Sequence, residues 1–220
     1  MFDAVLFDMD GLLLDSERVL MKAWTAEAAA EGILIPPEAY TAVIGRAVQE
    51  SHALFTEMLG GVERHARLRA KVVERLQAER DGPIFPLKPG ALELLGALRA
   101  QGVPCAVASS SGADEIRHRL EVVGVLHHFD AVAGGNEVAR GKPDPAVYEL
   151  AASRLGVSAA ACLAFEDSEN GARAALAAGA TLVVVPDLRR PADDVMARCL
   201  QEMASLHEAC EHLPRWFPRA

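Results

Sequence analysis

The stretch AVLFDMDGLLLDSE, residues 4–17, decides how this chain is read. Ala4 to Phe7 form an apolar run of buried-strand length, and it ends in two acids, Asp8 and Asp10, one residue apart. Their charges repel, so either both are solvated turn residues or something cationic sits between them. The rest of the chain has to choose.

Short apolar runs recur at VPCAVA (103–108), DAVAG (130–134), ACLAF (161–165) and TLVVV (181–185). Between them lie segments with helical core spacing: Ala91, Leu94, Leu95, Leu98, then Ile116, Leu120, Val123, then Val147, Leu150, Ala151, Leu155. Strand and helix in this rhythm predict an α/β fold, a Rossmann-like, doubly wound parallel sheet covered on both faces. Gly102 is placed to end the helix before the second strand. Residues 15–85 break the rhythm and read as helices only, with an apolar stripe at Val62, Ala66, Arg69, Val72, Val73 and Leu76. The expected organisation is a sheet core of residues 1–14 and 86–220, interrupted by an all-helical insert at 15–85. The tail after Val185 reads as polar and helical in places, with Pro214 and Pro218 stopping it.

The chain's 220 residues are enough for a substantial core. The 22 basic residues against 31 acidic ones leave a net charge of −9, which argues against nucleic acid or an anionic membrane as partner. An anionic substrate must then be held by a few local cations. Cys105, Cys162, Cys199 and Cys210 show no metal or redox spacing and read as thiols in a reducing compartment. No stretch approaches the roughly 18 apolar residues of a membrane span, and the N-terminus has no basic signal region. The expectation is a cytoplasmic protein.

Chemistry gathers where the apolar runs end. Asp8-Met9-Asp10-Gly11 follows the first, Ser109-Ser110-Ser111-Gly112 the second, Gly141-Lys142-Pro143-Asp144-Pro145 the third, and Glu166-Asp167-Ser168 the fourth. In an open parallel sheet all these ends point to one edge, where ligands bind. Asp8, Asp10, Glu166 and Asp167 are hard oxygen ligands suited to Mg²⁺, and Lys142 is a point charge for phosphoryl oxygens. Ser109 and the amides at 110–113 offer donors to an anion. A dication offsets the crowded carboxylates. The set suits phosphoryl transfer.

These four motifs, in this order and spanning essentially the whole chain, resemble the haloacid dehalogenase superfamily of Mg²⁺-dependent phosphotransferases, and most of all its β-phosphoglucomutase-like phosphatases. The resemblance implies that Asp8 is the nucleophile, forming an aspartyl phosphate, and that Asp10 is the general acid and base. It implies that Ser109 and Lys142 hold the phosphoryl group. Mg²⁺ is then bound by Asp8, the Asp10 carbonyl and Asp167, with Glu166. Gly11 lets the backbone turn beneath the phosphate, and Ser110 is a further candidate for binding it. The helical insert corresponds to a cap, and Arg46 within it is a candidate substrate contact.

The implied activity is hydrolysis of a small phosphorylated metabolite, with a phosphosugar favoured. A sugar phosphomutase is the alternative, and Leu20 stands where mutases of the family typically carry a His. A phosphorylatable signalling module is a more distant one, because its acid is expected after a later strand. Other features read as structural. Asp15, Ser16 and Glu17 open the first helix, with Asp15 or Ser16 as its N-cap, and the serines at 109–111 can cap the next helix alongside binding phosphate. Asp144 makes a turn, and His127 and His128 lack a third ligand. The basic stretch RHARLRAKVVER (64–75) is a solvated helix face, and Trp24 and Trp216 carry no readable role.

Overall fold

The structure is a computed structural model that describes residues 1–42, 48–78 and 84–218. Its strands are β1 (Ala4–Phe7), β2 (Cys105–Ser109), β3 (Ala131–Gly134), β4 (Cys162–Glu166), β5 (Thr181–Val184) and β6 (Gln201–Glu202). Every pairing among them is parallel, in the order β3-β2-β1-β4-β5-β6. That is the doubly wound order, with its switch point where β1 lies between β2 and β4. It differs from the 2-1-3-4-5 order of a receiver-type sheet.

Strand β1 is fully buried because it packs on both faces. Val5 and Phe7 point to one side, into a core shared with α5 (Ala91–Ala100), α6 (Ala113–Val122) and α10 (Leu206–Trp216). Ala4 and Leu6 point to the other, toward α7 (Ala146–Arg154), α8 (Glu169–Ala177) and α9 (Asp193–Met196). Each large apolar side chain so buried stabilises by about 1.5–3 kcal/mol, which fixes the register of this strand. Gly102 ends α5 with φ +69°, and the Val103 N–H donates to Leu98 O as a left-handed helix end requires.

Between β1 and α5 the chain forms α1 (Ser16–Ala30), α2 (Pro37–Thr41), α3 (Val48–Met58) and α4 (Val62–Ala78). They share a separate apolar cluster around Ala23, Trp24, Ala28, Leu59, Leu68 and Val72. Trp24 stacks on Phe55 at 5.0 Å, which gives it a structural role. The α4 stripe is phased differently from the expectation. His65, Leu68 and Val72 are buried while Val62 is 65% exposed, because the face toward Trp24 and α1 is the one that packs. The basic face of α4 is solvated, with Arg67 and Lys71 on Glu31 and Arg75 on Glu27.

The tail departs from its reading too. Leu206, Ala209, Leu213 and Trp216 line one face of α10 and enter the sheet core, with Trp216 edge-on to Phe165 at 6.0 Å. Pro214 does not stop this helix; it sits in the last turn, and burial of Leu213 and Trp216 outweighs the lost backbone bond. Two helix starts differ as well. Asp15 is at the α1 N-cap, but its carboxylate turns to Arg18 at 2.8 Å and bonds no helix amide, while the Ser16 hydroxyl is buried without a partner. At α6 the N-cap is Gly112, and Asn136 Oδ1 accepts from the Ala113 N–H where a serine was expected. Asp144 does form its turn, accepting from the Ala146 N–H at 3.1 Å. No described helix is long and apolar enough to cross a membrane.

Candidate active site

Pairing of β1 with both β2 and β4 brings three of the four motifs to adjacent strand ends, and Lys142 arrives from the loop before α7. Ser109 and Glu166 are the last residues of their strands, one position earlier than their sequence reading, and so are fully buried. Lys142 Nζ donates to Asp8 Oδ1 at 2.5 Å and to Glu166 Oε1 at 2.6 Å. Its side chain is 6% exposed. The Tyr148 hydroxyl also donates to Glu166 Oε1, at 2.7 Å.

Glu166 has every acceptor in use. Its Oε2 accepts from the Asp167 and Ser168 amides, each at 3.1 Å, and from Ser168 Oγ at 3.0 Å. Ser168 Oγ in turn accepts from Gly171 N–H and caps α8. A Cβ on Gly171 would lie 1.7 Å from Glu166 Oε1, so only glycine leaves the carboxylate this place. Asp167 is different: its Oδ1 is buried with no hydrogen-bond partner. Ligand atoms of Asp8, Glu166 and Asp167 lie within 4.8 Å of one another.

Burial pushes the Asp8 carboxyl well above the usual carboxylate range; Lys142 opposes the shift and Glu166 adds to it. Burial does the same to Asp167, reinforced by Glu166, Asp8 and Asp187. For Lys142 burial works to lower its pKa, but Asp8 and Glu166 more than offset it and hold the ammonium charged. Three buried acids facing one lysine are short of positive charge. A hard divalent cation fits the donor set and the orphaned oxygen.

Asp10 lies beside this group and faces elsewhere. Its carboxylate accepts from Arg119 Nη1 at 2.7 Å and Ser111 Oγ at 3.0 Å. Arg119 also lies over the Phe85 ring at 4.7 Å and pairs with Glu115. Gly11 has φ +88°, and a Cβ there would lie 2.3 Å from Asp167 Oδ2, so the tight turn is needed to admit that acid. Ser109 Oγ accepts from the Ser111 N–H at 3.1 Å, while the Ser110 side chain is exposed. Arg46 lies outside the described residues. The His127 and His128 rings lie 4.1 Å apart, tilted at 37°, and take no part in the acid group.

Several residues here have no sequence signal of comparable strength. Tyr148 sits in the helix after the lysine loop, where a buried aromatic with a polar tip was a usable hint. Ser111 is visible only as a member of the serine run after the second apolar run, and Arg119 has no signal. Glu17, in the first turn of α1, is a further case: burial, Asp10 and Asp187 push its carboxyl up to about 7.

Residues 2–179 match the haloacid dehalogenase-like hydrolase family. Hexitol phosphatase A of Escherichia coli (strain K12) is 33% identical over 188 residues, covering 86% of this chain and 83% of its own. A mutant of CbbY from Rhodobacter sphaeroides, solved in complex with xylulose-(1,5)bisphosphate, is similar with a TM-score of 0.77 at 28% identity, over 94% of this chain and 96% of that one. A haloacid dehalogenase family hydrolase from Deinococcus radiodurans R1, with bound phosphate and sodium, gives a TM-score of 0.79 at 29% identity, over 98% and 96%. The family match runs through all four strand-end motifs, and the chain belongs to the haloacid dehalogenase-like hydrolases.

Proposed function

We propose that this protein is a Mg²⁺-dependent phosphatase that hydrolyses a small phosphorylated metabolite through an aspartyl phosphate on Asp8. The observation that carries the reading is the buried Asp8–Lys142–Glu166 arrangement, with the unpartnered Asp167 oxygen beside it at the switch point of the sheet. A hexitol phosphatase and a protein solved with a xylulose bisphosphate among its relatives favour a phosphorylated sugar or polyol as substrate.

In this reading Asp8 attacks phosphorus, the bond to the leaving oxygen breaks, and Asp10 delivers a proton to that oxygen. Asp10 then takes a proton from the water that attacks the aspartyl phosphate, releasing inorganic phosphate and free Asp8. Lys142 holds a phosphoryl oxygen through its ammonium. The Ser109 hydroxyl, already an acceptor from the Ser111 amide, keeps its own hydrogen to donate to another. Asp8, Asp167 and the Asp10 carbonyl are the groups that would hold Mg²⁺, which when bound offsets the negative charge of the phosphoryl oxygens. Glu166, with all its acceptors in use, positions Lys142. The helices between β1 and α5 act as the cap that selects the substrate.

A panel of phosphomonoesters assayed with wild type and Asp8→Asn tests this. At least ~10³-fold loss in the variant, and loss in wild type on chelation, are expected. Equal rates for the two proteins, or indifference to chelator, refute it. Leu20 packs against the helical cluster and offers no base, which supports water over a second sugar hydroxyl as acceptor. β-Glucose 1-phosphate with a bisphosphate primer should accordingly yield no glucose 6-phosphate.

A further inference from the structure

Both chain crossings between the sheet and the helical segment meet on one carboxylate. Asp187 lies in the loop after β5, its side chain 2% exposed, and its Oδ1 accepts from Arg18 Nη1 and from Lys88 Nζ. Arg18 belongs to the first turn of α1, on the outgoing crossing, and Lys88 to the returning one. The two crossings are already tied to each other. Leu14 bridges Leu87, the Asp15 N–H donates to Pro86 O at 2.8 Å, and the Lys88 N–H donates to Leu13 O at 2.8 Å. These bonds join crossing to crossing, and the buried Leu13 and Leu14, whose amides donate to Met9 O, seat the pair on the sheet core at the β1 end. Asp187 supplies a third point, from a separate strand end.

We infer that Asp187 is a positioning residue: through Arg18 and Lys88 it sets how α1, and the helices packed on it, stand over the site. The inference rests on the reading of those helices as a cap. Arg18 also donates to Asp15 Oδ1 at 2.8 Å, so its guanidinium is shared between the sheet side and the helix N-cap. Ala23, Trp24 and Ala28 of α1 build the helical cluster, so any tilt of α1 moves the whole cluster. The second Asp187 oxygen is buried without a partner, which leaves the carboxylate held only through the oxygen that grips both cations. Removing its charge while keeping its shape should therefore loosen the crossings and leave the sheet intact.

The test is amide hydrogen exchange at Asp15 and Lys88 in wild type, Asp187→Asn and Arg18→Gln, with Val5 in the sheet as control. Arg18 is 39% exposed, so its variant keeps the fold even where the buried one does not. Exchange at both crossings should quicken about tenfold or more in each variant while Val5 is unchanged. Steady-state rates should show KM raised about tenfold with kcat within about threefold. Unchanged exchange at Asp15 and Lys88 overturns the proposal, and so does quickened exchange with an unchanged KM. Exchange requires no turnover, so its outcome stands even if Asp8→Asn retains activity and the phosphatase reading fails.

Discussion

Lys142 Nζ lies 2.5 Å from Asp8 Oδ1, a pair separated by 134 residues and almost wholly buried. Because Glu166 shares the same ammonium, Lys142→Met would strand two buried carboxylates. Removing one partner of a buried ion pair costs about 3–5 kcal/mol, an expected loss that urea unfolding measures. Phosphatase activity should fall by at least ~10²-fold in the same variant. A stable Lys142→Met protein with ordinary turnover would contradict the arrangement.

The orphaned Asp167 oxygen predicts a metal effect that needs no substrate. At about 100 times its dissociation constant, Mg²⁺ should add about 2.7 kcal/mol of stability. For a chain of this size that raises Tm by roughly 5–10 °C. Asp167→Asn should abolish the rise, which differential scanning calorimetry with and without Mg²⁺ reads directly.

Glu17 predicts a pH dependence of stability. Its carboxyl rises from 4.5 unfolded to about 7 folded, through burial, Asp10 and Asp187. The folded state therefore binds more protons than the unfolded one between those values. The stability this contributes is fully present below pH 4.5 and is lost as pH rises through about 7. Glu17→Gln removes the penalty, so the variant should exceed wild type at pH 8 by up to about 3 kcal/mol and match it near pH 4. Urea midpoints across this range, measured in chelator, should converge at the acid end.

Gly11→Ala is predicted to disturb the proposed Mg²⁺ site through shape alone. The new methyl would lie 2.3 Å from Asp167 Oδ2, at a backbone φ of +88° that alanine resists. The strained backbone costs about 1–3 kcal/mol, and Asp167 must move. The Mg²⁺-induced Tm shift should shrink by at least half even where the protein folds. An undiminished shift would mean that Asp167 Oδ2 has room to give.

Much of this was legible beforehand. AVLF at 4–7 matches β1 to the residue, and the four other apolar runs fall on β2 to β5 within two residues at either end. Buried parallel strands betray themselves locally, as short continuous apolar runs closed by turn chemistry. The helices yielded less. Apolar residues occupy two faces of α4, and only its packing against α1 and α3 chose the face with His65, Leu68 and Val72. In α10 the 206, 209, 213, 216 spacing is visible, but Pro214 reads locally as a stop, and only the burial of Leu213 and Trp216 overrides it.

By itself the sequence determined which chemistry is present and that it collects at one edge. Acids follow the first and fourth apolar runs, serines the second, and a lysine the third, and parallel strands share a direction. Tertiary structure decided who touches whom. Strand order puts β1 between β2 and β4, so Asp8 and Asp167 become neighbours, Glu166 is consumed by Lys142 and Tyr148, and Asp10 turns to Ser111 and Arg119. The same is true of Asp187, an acid in a polar loop until Arg18 and Lys88 converge on it. Such pairings depend on distances of a few ångströms between residues 18 to 169 positions apart in the chain, and no local spacing encodes them.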